Sequence, residues 1–269
     1  MRKSTLFWGI TVILIGVLLL ISNILDINIE RLIWPLLMIA AGAWILWGIV
    51  AGPRGPEAFE SEEATIPLEG ATKAHIRINH GAGRLSVNSG AGPDELATGS
   101  FRGGLDYQKS RDGDTLNVNM GVRAPMQRFA NPWSWWGPGR SLDWSVSLND
   151  TIAISLDLQT GANEARIDLT DLQVTELQLQ TGASSTRITL PASAGHTKAA
   201  IRSGASSVSV RVPAGVAARI QAQSGLAEVR VDRSRFPRMG GVYQSEDYAT
   251  AANKVDIDIE TGVGSVDVS

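Results

Sequence analysis

The chain has 269 residues, a formal net charge of −3 and no cysteine. Disulfides, a thiolate nucleophile and a cysteine-ligated zinc site are therefore excluded. No run of basic residues exists, which argues against nucleic acid as a partner.

The first predicted elements are two membrane helices. Leu6 to Leu25 and Leu32 to Val50 are apolar runs of about 20 residues without an ionisable side chain, long enough to cross a hydrocarbon core. The six-residue link Asp26 to Arg31 makes them a helical hairpin over residues 1–50. A cleaved signal peptide is the alternative for the first run, but the run is too long and no Ala-x-Ala site follows it. Arg2, Lys3 and Arg54 flank the pair, against a link holding Asp26, Glu30 and Arg31. By the positive-inside rule both termini are expected in the cytoplasm, with the bilayer of the plasma (inner) membrane as one partner. Residues 51–71, with Pro53, Pro56, Pro67 and a glutamate cluster (Glu57, Glu60, Glu62, Glu63), read as an extended linker.

From residue 72 to 269 the pattern changes to period two, and one unit recurs. Counting from Gly182, apolar residues fall at −5 and −3 (Leu177, Leu179) and at +6 and +8 (Ile188, Leu190). The same register holds around Gly161, and with small shifts around Gly81, Gly204, Gly225 and Gly262. The preceding residue is Thr160, Thr181, Ser203, Ser224, Thr261 or, once, His80. Gly161, Gly182, Gly204 and Gly225 are 21, 22 and 21 residues apart. Alternation turns one face of each run inward. Glycine can adopt positive φ without a Cβ penalty, so these six glycines are expected to act as turns. A single unit cannot bury its apolar face, but stacked units can. The expected fold is an all-β solenoid of glycine-hinged coils; a β-sandwich is the alternative, and it needs no glycine at a fixed register.

Two insertions interrupt the repeat, at about 93–150 and 232–254. The first holds a hairpin pattern, LDYQKSRDGDTLNVN, with Asp112-Gly113 at its turn. It continues into NPWSWWGPGRSLDW, where Trp133, Trp135, Trp136 and Trp144 are four of the chain's eight tryptophans. Such a loop either caps the solenoid or contacts a protein or the headgroup region, with Arg140 suited to acidic headgroups. The last unit, VDIDIETGVGSVDV, is expected to leave an edge strand that Asp256, Asp258 and Asp267 blunt, or that accepts a partner strand.

No catalytic constellation is found. His75, His80 and His196 lack metal-ligand spacing, and Gly81-Ala82-Gly83 lacks the Gly-Lys-Ser/Thr of a phosphate loop. Neither metal nor cofactor is expected.

The hydrophobic hairpin, FWGITVILIGVLLLISNI followed by IWPLLMIAAGAWIL, resembles the LiaI/LiaF-like transmembrane region of bacterial membrane proteins. LDLQTGANEARIDLTDLQVTELQLQTGASSTRITLP resembles the toast-rack, adhesin-type β-repeat domain that forms LiaF-like C-terminal regions. The resemblance implies a non-enzymatic, membrane-anchored scaffold or regulator in cell-envelope stress response. Its partner would be a membrane histidine kinase or another envelope protein. An extracellular adhesin-like surface protein is the alternative. Many LiaF-like proteins carry more than two spans, a departure in layout from this chain.

Overall fold

The computed structural model describes residues 61–123 and 142–269, with Met38 besides. The expected membrane spans, 6–25 and 32–50, lie outside the described residues, among which no helix is long and apolar enough to cross a membrane. Apart from Met38, what is described belongs to the second of two units, Glu57–Ser269.

That unit is all β. Its frame is a stack of six long strands: β2 (Lys73–Ser89), β7 (Ala153–Asp168), β8 (Val174–Thr189), β9 (His196–Arg211), β10 (Ala217–Val231) and β13 (Lys254–Val268). All their mutual pairings are parallel. Between β7 and β8 only five residues intervene, although each strand has 16. A straight 16-residue strand would run about 50 Å, and five residues reach at most about 18 Å. Each long strand must therefore double back near its middle, so that one strand plus its connector makes one coil. The burial pattern marks the corner. In β7 the inward positions Leu156, Leu158 and Thr160 are followed by Asn163, Ala165 and Ile167, so parity slips by one residue at Gly161–Ala162.

Inside the coils, aligned apolar side chains form ladders. Ile76, Leu156, Leu177, Ala199, Ile257 and Ile220 are register partners in the first halves; Ile167, Ile188, Val210, Val268 and Val231 are partners in the second. All but Val231 are buried. Parallel sheets usually have both faces covered. Here one face packs on the opposite half-coil and the other meets solvent, which is why the sequence alternates.

The N-terminal end of the stack is capped by two flaps. On the first half of β2 lies β5 (Thr115–Val122), paired in turn with β4 (Leu105–Asp112). On the second half lies β6 (Trp144–Leu148), followed outward by β3 (Glu95–Arg102) and β1 (Ser61–Pro67). Residues 61–67, expected within the linker, are thus an outer strand. Hairpin β4–β5 turns at Gly113-Asp114, one residue later than expected, with Gly113 at φ 57°.

At the other end two expectations need correction. First, β13 is not an edge. It runs between β9 and β10, paired with both along its length, and the stack order is β2-β7-β8-β9-β13-β10. Both ends of β13 are clamped. The Lys254 N–H donates to Gly195 O at 2.7 Å and the Gly195 N–H to the Asn253 side-chain oxygen at 3.1 Å, while Val212 N–H donates to Ser269 O at 2.8 Å. The outer long strand is β10, covered by β12 (Val242–Gln244) only at Arg219 and Ile220; β12 pairs with β11 (Arg238–Met239).

Second, none of Gly81, Gly161, Gly182, Gly204, Gly225 and Gly262 has positive φ. Five of them are required for space, whereas a Cβ on Gly81 would meet nothing within 4 Å. A Cβ on Gly161 would lie 2.3 Å from Gly81 O, on Gly262 2.8 Å from Gly204 O, on Gly225 3.0 Å from Gly262 O, on Gly204 3.1 Å from Gly182 O and on Gly182 3.2 Å from Gly161 O. Each carbonyl sits where the next coil's side chain would begin.

The contact distances rank the cost of adding a methyl group. Gly161→Ala should destabilise the unit by about 2 kcal/mol or more, because backbone must move. Gly182→Ala should fall within about 1 kcal/mol of wild type, since the clash is slight and alanine restricts the unfolded chain. Denaturant midpoints of the two variants check the order; equal midpoints would refute the spacing argument.

Candidate functional site

The doubled strands leave a groove of about 910 Å³ running across all six coils at the corner. Three register-matched ladders line it. The glycines form its floor. One residue earlier stand His80, Thr160, Thr181, Ser203, Thr261 and Ser224 in stack order. Two residues earlier stand the long polar side chains Asn79, Gln159, Gln180, Arg202, Glu260 and Gln223. Strand pairing holds each ladder in register, so neighbouring rungs are about 4.8 Å apart.

The hydroxyl ladder is partly bonded within itself. Thr181 donates to Ser184 Oγ at 2.6 Å and Ser203 to Thr261 Oγ1 at 2.9 Å. Thr160 Oγ1 is buried without a partner among the described residues. Arg202 and Glu260 form an ion pair of 3.5 Å across β9 and β13 with both side chains about half exposed, so solvent screens it and it adds little to stability. One residue past the floor a fourth ladder is apolar: Ala82, Ala162, Ala183, Ala205, Val263 and Leu226. It is exposed throughout, and grows to a 52 % exposed valine and an 85 % exposed leucine at the β10 end. Long polar side chains (four amides, Arg202 and Glu260) in the groove and an exposed apolar ladder beside it suit an extended, two-faced ligand.

His80 closes the N-terminal end. It is 1 % exposed, and its Nε2 lies 2.6 Å from Leu142 O. A carbonyl only accepts, so the proton is on Nε2 and the buried Nδ1 is left a bare acceptor. Burial holds the imidazole below its ordinary pKa of 6.5, against the opposing hydrogen bond to Leu142 and the charge of Asp143.

Trp144, expected either to cap the solenoid or to make a contact, is a core residue. It is 2 % exposed, meets Phe101 edge-on at 5.1 Å and lies 5.4 Å from His80, and its indole N–H donates to Arg102 O at 3.3 Å. Its place on β6, facing inward between β2 and β3, takes it out of any contact surface. Trp133, Trp135, Trp136 and Arg140 lie outside the described residues. The six glycines come together in one line. The amide ladder is the part the sequence reading missed, although its signal is present: two residues before every one of the six glycines stands a long polar side chain.

A second cavity of about 360 Å³ opens on the outer face of the first half-strands and is lined in part by Lys198, Arg219 and Asp256. Asp256 accepts from Tyr248 at 2.5 Å and contacts His196 Nε2 at 2.8 Å. Burial and then the Asp256 bond push the Tyr248 hydroxyl up to about 12. Burial disfavours the Asp256 carboxylate, but the bonds from Tyr248 and His196 outweigh it and its pKa is lowered. These are outward strand positions tied to one another.

A family model described as the N-terminal domain of toast_rack, DUF2154, matches residues 55–211. Among solved structures the chain is similar to "a putative cell adhesion protein from Clostridium sporogenes ATCC 15579", with a TM-score of 0.68 at 19 % identity, over 78 % of this chain and 98 % of that one. At that identity the likeness is one of fold. No curated protein matches the chain. The family match takes in four coils of the groove; β10 and β13 lie past it.

Two substitutions test this geometry. As pH falls through about 6.5 an unfolded His80 takes up a proton that the folded site resists, so its stabilising contribution is present above that pH and is lost below it. His80→Thr, which installs the residue of three other coils, should flatten the fall in melting temperature between pH 7.5 and pH 5. An unchanged slope would mean that His80 does not drive it. Trp144→Ala should cost about 3–5 kcal/mol, as a buried aromatic does, whereas a contact residue would leave thermal stability unchanged.

Proposed function

The chain belongs to the toast-rack family, and from that membership we propose that it is a non-enzymatic scaffold of the bacterial cell envelope that engages a partner along the glycine-floored groove. The observation that carries this reading is the groove itself. Six strands present a long polar side chain, a hydroxyl (His80 in one coil) and a glycine in one register, as a surface for an extended partner requires. A catalytic site instead needs a few convergent groups with unlike roles. Among the described residues no group of three or more His, Asp or Glu is placed to hold a metal ion.

In this proposal the apolar runs 6–25 and 32–50 anchor the solenoid to the plasma membrane with both termini in the cytoplasm. The partner is then a membrane histidine kinase or another protein of the envelope stress response, and it contributes a segment with one polar and one apolar face. A second reading, an adhesin-like surface module with the opposite topology, is favoured by the fold neighbour described as a cell adhesion protein. Protease treatment of intact cells separates the two. A protected β domain fits the first, and its digestion fits the second.

The groove is tested by Gln159→Ala, Gln180→Ala and Arg202→Ala combined, in the full chain in its native membrane. All three side chains point outward, so the fold should persist. Partner proteins that co-purify with wild type should be lost from the triple variant. Undiminished recovery would exclude the groove as the docking surface.

A further inference from the structure

The two ends of the stack are not alike. The N-terminal end is covered by five further strands, β1, β3, β4, β5 and β6. At the other end the second half of β10, Leu226 to Val231, pairs with β13 on one side, and no strand among the described residues pairs with it on the other. Repeat stacks ordinarily cap both ends, and a bare edge offers unpaired N–H and C=O groups.

The geometry of this edge is specific. The Asp232 N–H donates to Val268 O, so even-numbered residues here bond to β13. Strand backbone groups alternate sides, which turns the N–H and C=O of Ala227, Val229 and Val231 outward along the sheet plane. The side chains of the same three residues face the inner side and are partly buried, while Glu228 and Arg230 are exposed on the outer face. Within one protomer Glu228 and Arg230 pair with each other at 2.8 and 2.9 Å. The edge carries no proline, no lysine and no bulge, the usual devices against strand addition.

We propose that this edge binds the same edge of a second copy, antiparallel, about a two-fold axis at Val229. The register follows from the constraints. Outward-bonding residues must meet outward-bonding residues, and the charged pair must meet its opposite. With Val229 opposite Val229, Ala227 faces Val231, and Glu228 faces Arg230 on both sides of the axis. The next register in one direction sets Glu228 against Glu228, and in the other Arg230 against Arg230. The chosen one supplies three hydrogen-bonded pairs and two cross-strand ion pairs, and it closes, as a self-complementary interface does. It holds on either side of a membrane.

The chain contains no cysteine, which makes the test clean. Val229→Cys is introduced into the full chain in its membrane and oxidised mildly. Residues facing each other as a hydrogen-bonded pair are about 5.5 Å apart at Cα, within disulfide range. A dimer-sized band on non-reducing gels is expected, and Ser185→Cys, exposed on β8, should stay monomeric. Chains carrying Ala227→Cys and Val231→Cys should cross-link when co-expressed and neither when alone. In the Val229→Cys background Glu228→Arg or Arg230→Glu should lower cross-linking about tenfold, and the two together should restore it. Melting curves confirm that each variant folds. A monomeric Val229→Cys with a native melting curve overturns the proposal. So does cross-linking no greater than that of Ser185→Cys, or indifference to both charge reversals.

Discussion

Five times in this molecule a glycine carbonyl oxygen occupies the place where the neighbouring coil's β-carbon would stand. That crowding sets the spacing of the corner, and the rest of the β unit is arranged around it. The parallel ladders hold the half-strands on either side in register along the whole stack, and glycine lets the backbones meet closely at the corner. The apolar ladders of the core and the polar ladders of the groove are the inner and outer faces of the same alignment. Loss of one rung therefore disturbs both faces, which couples the integrity of the groove to that of the core without any moving part.

The groove has a chemistry of repetition. No side chain in it is unusual by itself, and the Arg202–Glu260 pair is a solvated surface contact. Affinity in such a trough would come from many equal contacts at one spacing, with discrimination set by the length and the two-faced character of whatever lies in it. His80 breaks the repetition at one end, where a buried ring replaces a hydroxyl and is tied to the loop at Leu142.

Much of this was legible in the sequence. Alternation about Gly161, Gly182 and Gly204 fixes which residues face inward, and Leu177, Leu179, Ile188 and Leu190 are all buried as that pattern requires. The glycines are where expected but act for a different reason. Sequence reports that a side chain is missing, and only neighbouring coils reveal that a carbonyl needs the room. Strand order was not legible either, because the unit at Gly262 has the same pattern as those before it and could stack at any compatible edge. Trp144 misled by its company. Four tryptophans in 12 residues read as one cluster, yet Trp144 lies on β6 and belongs to the core. The amide ladder was visible as a recurring polar residue two positions before glycine, but polar outward positions on a strand ordinarily signify only solvent.

The insertion of β13 between β9 and β10 bears on how the chain reaches this state. During synthesis β9 and β10 are complete well before residues 254–268 exist. Their alternation matches, Ala199 and Ile201 against Ile220 and Ala222, and β13 later joins both in that same parallel register. A direct β9–β10 ladder is thus an available non-native pairing for the nascent chain. The finished order demands either that β10 wait undocked or that β13 displace it, so the last strand to be made decides when the edge of the stack becomes final.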